Sequence, residues 1–178
     1  MKRLLLVLPL AILSTFAAHA TEPPIKDGLI LWLDASQQAT ARQAASMPPI
    51  GNRQPVDVLL ASSGKNQLAI QTTNDRRPLF MSDGEVAFLQ FDGKHDYLVV
   101  QRGRQHTPEL TVFILAAPQA NEKSFTGIFA TAELGKNDYT SGLNLDFGPV
   151  KTHGLTVLNV ESGGATGFRD LLIPGFFN

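Results

Sequence analysis

The sequence predicts an all-β domain, either an antiparallel sandwich or a barrel. Short apolar segments recur with turn residues roughly every 8–12 positions, the rhythm of stacked or closed antiparallel sheets. No amphipathic helices alternate with them, which argues against an α/β fold. The composition also supports a filled core: 43% of the 178 residues are apolar and 17% are charged, against a usual charged share of ~25%. That length suits one domain, and no internal repeat or low-complexity tract divides it.

The chain opens with an address. Lys2 and Arg3 precede an apolar run from Leu4 to Leu13, and Ala18-His19-Ala20 forms a small-x-small cleavage signature. This is the pattern of a secretory signal peptide cut after Ala20. The run is shorter than the ~20 residues of a spanning helix, and no later stretch is long enough to span. The expected address is therefore secreted, periplasmic or cell-surface. The absence of cysteine removes disulfides, thiol catalysis and thiolate metal sites. Arg76-Arg77 and Arg102-Gly103-Arg104 are the only dense basic spots, too few to favour nucleic acid.

The elements follow in order. Thr21 to Asp27 reads as a leader. Gly28 to Leu33, containing the only tryptophan at Trp32, reads as a buried strand. Gln37 to Ser46 is a candidate short helix, and Met47 to Pro55 is irregular because of its prolines. Val56 to Leu60 and Leu68 to Thr72 read as strands, and Leu79-Phe80-Met81 leads into a turn at Ser82-Asp83-Gly84. Val86 to Phe91 and Tyr97 to Val100 flank Asp92-Gly93 and are expected to form a central hairpin, since Gly tolerates φ > 0 and Asp favours turns. Within it, Ala87, Leu89 and Phe91 share the core-facing side. Leu110 to Ala117 carries the densest β signal and is expected to be covered on both faces. Thr126 to Thr131, Leu143 to Phe147 and Leu155 to Val160 are further strands. In the second of these, Leu143, Leu145 and Phe147 alternate with Asn144 and Asp146. Leu171 to Ile173 is a last apolar piece.

The order of several short motifs resembles bacterial laminin-G-like, concanavalin A-like domains. Gly28-Leu-Ile-Leu-Trp32-Leu-Asp34-Ala35 resembles their opening. Ser63-Gly64-Lys65-Asn66, Ala69, Gln71 and Arg77-Pro78 follow the next segment. Phe91-Asp92-Gly93 with Asp96-Tyr97-Leu98 matches their most recognisable motif, and Thr111-Val112-Phe113 matches the strand after it. The resemblance spans roughly Gly28 to Phe147 and implies a two-sheet jelly roll over residues 28–178. It also implies a non-catalytic carbohydrate-binding or adhesive module, of the kind carried by large exported bacterial proteins. Leu59 and Ala61 stand where that family often has Trp and Asp. The family ends with further strands and a closing helical segment, so the expected domain is short on its C-terminal side.

No catalytic constellation is legible. Related sandwich-fold glucanases carry Glu-x-Asp-x-x-Glu on one strand, because glycoside hydrolysis needs paired carboxylates; here the glutamates are scattered. Oxygen-rich loops are the candidate metal sites, with Ca²⁺ as the fitting ion. They are Asp92 and Asp96 flanking His95, and Asp138 with Asp146. For the first, the alternative is that Asp92-Gly93 simply makes the turn and Asp96 bonds a local backbone N–H. Asn137, Asp138, Tyr139 and Asn144 are the candidate glycan contacts, with Tyr139 as the stacking aromatic. The alternative is a structural or protein-interaction module of a larger exported or cell-surface protein.

Overall fold

The computed structural model describes residues 23, 25–100, 109–150, 155–163 and 169–175. The expected signal peptide and the basic spot at Arg102-Gly103-Arg104 lie outside them. The described chain is mostly strand in antiparallel sheets, with few helices. An all-β fold is what the sequence led us to expect.

The first part of the chain builds two three-stranded sheets. One joins β1 (Gln54–Pro55), β4 (Leu79–Ser82) and β5 (Ala87–Gln90) in the order β1-β4-β5. The other joins β2 (Val58–Leu60), β3 (Leu68–Ile70) and β6 (Val99–Val100) in the order β2-β3-β6. Their inner faces share one core, in which Val56, Leu59, Ala69 and Phe80 are buried and Ala87, Leu89, Leu98 and Val100 pack around them. Val56 sits at the core's centre because the chain changes sheets there. Its N–H extends the ladder toward Pro78 O at 2.8 Å, while Asp57 O already accepts from Gln71 N of the other sheet at 2.8 Å.

A short helix seals one edge of this unit. Asp34 starts it by accepting Ser36 N at 2.8 Å, a side-chain cap of the usual kind. The 3-10 turn Ala35–Gln37 then runs into α1 (Gln38–Ala44), as the alanine-rich stretch suggested. Gln38 and Arg42 lie one turn apart on the same face, and both are buried. Gln38 donates to Leu60 O at 2.8 Å and accepts from Leu60 N at 2.9 Å. Its amide thus imitates a neighbouring strand. Arg42 Nη1 donates to Val58 O at 2.9 Å, two residues along the same edge.

Two expectations for this part of the chain are corrected. Among the described residues, the run Gly28 to Leu33 forms a single isolated bridge, Leu33 opposite Ala61, and Trp32 is half-buried. The edge it would have joined is already taken by Gln38 and Arg42. The central hairpin is the second correction. β5 pairs with β4, and β6 pairs with β3, so Asp92–Asp96 carries the chain from one sheet to the other. The hairpin lies one turn earlier. There Asp83 Oδ1 accepts the N–H groups of Glu85 and Val86 at 3.0 and 2.8 Å. The face assignment holds within β5, where Ala87 and Leu89 pack on the core, but not at Phe91, which lies past the strand's end and is exposed.

The later part forms a four-stranded meander, β7 (Gly127–Thr131), β8 (Leu143–Asp146), β9 (Val157–Ser162) and β10 (Arg169–Pro174), in the order β10-β9-β8-β7. Between β7 and β8 runs a single helical turn, α2 (Asp138–Ser141), where a loop was expected. Gly142 follows it at the cap, where any Cβ would overlap the Thr131 carbonyl. Leu110 to Ala117, expected to be a covered strand, belongs to no sheet.

Gln38→Ala removes a partner from both backbone groups of Leu60. The expected loss is about 1–3 kcal/mol, to be measured by urea unfolding, with faster amide exchange at Leu60. Phe80→Ala is expected to lose more, about 3–5 kcal/mol, because it leaves a cavity between the two sheets.

Candidate functional site

Four groups of residues bear on function. The first is the crossing loop, where Asp92, His95 and Asp96 place one ligand-type atom each within 4.8 Å of one another. Asp92 Oδ1 accepts the N–H groups of Lys94, His95 and Asp96 at 2.8, 3.0 and 3.0 Å. Its other oxygen meets His95 Nδ1 at 3.0 Å. Asp96 Oδ2 accepts Asp92 N at 3.0 Å. Gly93 takes φ +67° in this turn, which glycine alone adopts without strain. Both carboxylates are therefore engaged in holding the loop's shape. Desolvation pushes the Asp92 pKa up, but the N–H groups of His95, Lys94 and Asp96 and the attraction of His95 outweigh it and bring it down to about 2.

The second group is Asn137-Asp138-Tyr139 at α2. Asn137 Nδ2 donates to the Tyr139 hydroxyl at 2.5 Å, and Asp138 Oδ1 accepts Tyr139 N at 2.9 Å. Tyr139 is 40% exposed. No hydrogen bond joins Asp138 to Asp146; the latter bonds Asn144, Asn159 and Gly148 instead.

The third group is a polar cluster on β8 and β9. The expected alternation in β8 is present, but within the strand Asn144 and Asp146 are the buried positions, while Leu143 and Leu145 are only half-buried; Phe147, just past the strand, is buried. Opposite the two polar residues, Asn159 and Glu161 are buried too. The register pairs Asn144 with Glu161 and Asp146 with Asn159, so amides and carboxylates alternate across the two strands. Asn144 Nδ2 donates to Asp146 Oδ2 at 2.6 Å and to Glu161 Oε2 at 3.4 Å. Asn159 Nδ2 donates to Asp146 Oδ2 at 3.4 Å, and Gly148 N donates to Asp146 Oδ1 at 2.6 Å. Glu161 and Asn159 were not singled out from the sequence. The readable signal was the repeated Asn-x-acid pattern, Asn144-Leu145-Asp146 and Asn159-Val160-Glu161, which antiparallel pairing turns into a checkerboard.

The fourth is an apolar surface. Phe113 is 92% exposed and Leu115 104%. Leu110 and Ile114 are exposed as well. Among the described residues, Leu110 to Ala116 make no backbone hydrogen bond.

No family model, curated protein or solved structure matches this chain.

The depressed Asp92 pKa has a pH consequence. A carboxylate lowered in the folded state contributes stability above its ordinary value of 3.8, and that contribution is lost as pH falls through about 2. Asp92→Asn is expected to lower stability by about 1 kcal/mol at pH 6, screened by solvent. The difference from wild type should vanish near pH 2. Thermal unfolding of both proteins between pH 2 and 7 checks this; an unchanged gap at pH 2 would contradict it.

Proposed function

We propose that this chain is an exported, non-catalytic module that docks an extended apolar segment of another exported protein. Its fold in this reading is a laminin-G-like, concanavalin A-like jelly roll, supported by the order of motifs from Gly28 to Phe147 and by the two sheets that share a core. Export is supported by the leader pattern from Lys2 to Ala20.

One observation carries the docking reading. Leu110 to Ala117 combines exposed apolar side chains with unpartnered backbone groups from Leu110 to Ala116. β-rich sequence is stabilised by a neighbouring strand and by covering of its faces, and this stretch has neither. The chemistry that satisfies it is an added strand: its backbone takes the free N–H and C=O groups, and its side chains cover Phe113 and Leu115. Exposed apolar surface on this scale marks interaction sites.

A second reading, glycan binding, has its own support in Tyr139. It is half-exposed and its hydroxyl is oriented by Asn137, an arrangement suited to stacking on a sugar. The hydrolase reading lacks such support. Asp146 and Glu161 are buried, whereas a glycosidic bond must lie between the two acting carboxyls.

The test is retention of the folded chain on an immobilised peptide of alternating Val and Thr, alongside a polysaccharide panel. Wild type is expected to be retained by the peptide. Replacing both Phe113 and Leu115 with Lys should weaken retention at least tenfold, since each side chain contributes about 1.5–3 kcal/mol when covered. Both are exposed, so the fold survives the change. Retention only on a polysaccharide, abolished by Tyr139→Ala, would replace the first reading with the second.

A further inference from the structure

Leu110 to Ala117 is exposed along its length, Val112 alone being half-buried. The backbone groups of Leu110 to Ala116 have no hydrogen-bond partner. Exposed strand edges in folded proteins are guarded by charges, prolines or bulges. Two outermost strands here follow that rule: β1 contains Pro55, and β10 contains Arg169, Asp170 and Pro174. Leu110 to Ala117 has no charge, no proline and no glycine. A short β-rich stretch without such guards is the signature of a segment that pairs with identical copies of itself.

The flanking charge selects one orientation for that pair. Glu109 borders the segment and is exposed. Parallel pairing in register sets two Glu109 carboxylates side by side, and like charges directly opposite are destabilising. Antiparallel pairing about a two-fold axis at Phe113 sets them roughly 27 Å apart at the usual rise of a strand, beyond the reach of screened repulsion. In that pair Leu110 stands opposite Ala116, Leu115 opposite Thr111, and Phe113 opposite Phe113. Each leucine meets a smaller side chain, and an aromatic pair sits on the axis.

Area sets the strength of the contact. Phe113 and Leu115 are almost wholly exposed, and Leu110 and Ile114 nearly half. One aromatic side chain buries about 150–250 Å², and the two-fold axis counts every contribution twice. The pair therefore covers on the order of 1,000 Å², the threshold for a specific interface. That suits a dimer that forms and parts with concentration, not an obligate one.

We propose that the extended segment docked at Leu110–Ala117 is the same segment of a second copy, in an antiparallel two-fold pair centred on Phe113. This inference rests on the docking reading above and names its partner. The contact is isologous, each copy offering the other the same surface. It gives the open backbone groups of both segments partners in one step.

The experiment is sedimentation equilibrium of the full chain over a range of concentrations. Wild type is expected to pass from monomer to dimer between about 1 and 100 µM. Register is tested by disulfide trapping, to which a chain without cysteine is suited. Phe113→Cys places two thiols across the axis, with Cα atoms ~5 Å apart and within disulfide range. Leu115→Cys places them roughly 14 Å apart and out of range, although Leu115 is the more exposed of the two. Covalent dimer is expected roughly tenfold faster from Phe113→Cys than from Leu115→Cys. Hydrogen exchange of wild type adds a readout without substitution: amides of Leu110 to Ala116 slow as the dimer forms. A wild-type chain that stays monomeric at about 100 µM overturns the inference. So do equal trapping rates at the two positions, or assemblies larger than a dimer. If the peptide of Val and Thr is still retained in those cases, the docking reading stands and only its partner falls. If the peptide is not retained either, both fall.

Discussion

The outer edge of a strand is a row of backbone donors and acceptors that must find partners, and this constraint shapes the molecule. At β2 the partners are side chains. Gln38 presents one acceptor and one donor to Leu60, and Arg42 reaches Val58 two residues along. A buried glutamine and a buried arginine would be liabilities elsewhere. Here each replaces part of a missing strand, which explains why α1 is placed against β2 and why the run before it is reduced to one bridge. Leu110 to Ala116 show the opposite condition, with backbone groups still open.

Polar burial recurs in the later sheet under a different rule. In the first unit, inward positions are Leu59, Ala69 and Phe80, and packing decides their energy. On β8 and β9 the inward positions alternate amide and carboxylate, and electrostatics decides. The molecule thus combines an apolar core and a buried polar cluster, each with its own sensitivity: cavities in the first, a lost hydrogen-bond partner in the second.

Much of this was legible from local pattern. The stretches assigned to β2, β3, β7, β8 and β9 were legible because apolar alternation and turn residues act within a few positions. Partner choice was not legible. Asp83-Gly84 and Asp92-Gly93 carry the same turn chemistry, and only the first joins paired strands; the second was read as the hairpin because the segments beside it are richer in β-formers. The burial of the polar face of β8 has a similar cause. Alternation separates two faces, but which face is inward depends on Asn159 and Glu161, on a different strand. In Leu110 to Ala117, high β propensity was read as a strand, yet propensity reports fit to a pleated and covered surface. Of the candidate residues, Asp146 and Asn144 fell in the polar cluster, while Asp92 and Asp96 shape a loop.

The crossing at Asp92–Asp96 also orders the assembly of the chain. β4 and β5 meet through a tight turn, whereas β6 must return to β3 past that entire hairpin. Closing a longer loop carries a larger entropic penalty, and non-local pairings form more slowly. Topology therefore favours the β4–β5 hairpin forming before β3 and β6 meet, and once formed it shortens the span of free chain that their meeting must restrict. The loop that joins the two sheets in space thus separates them in time.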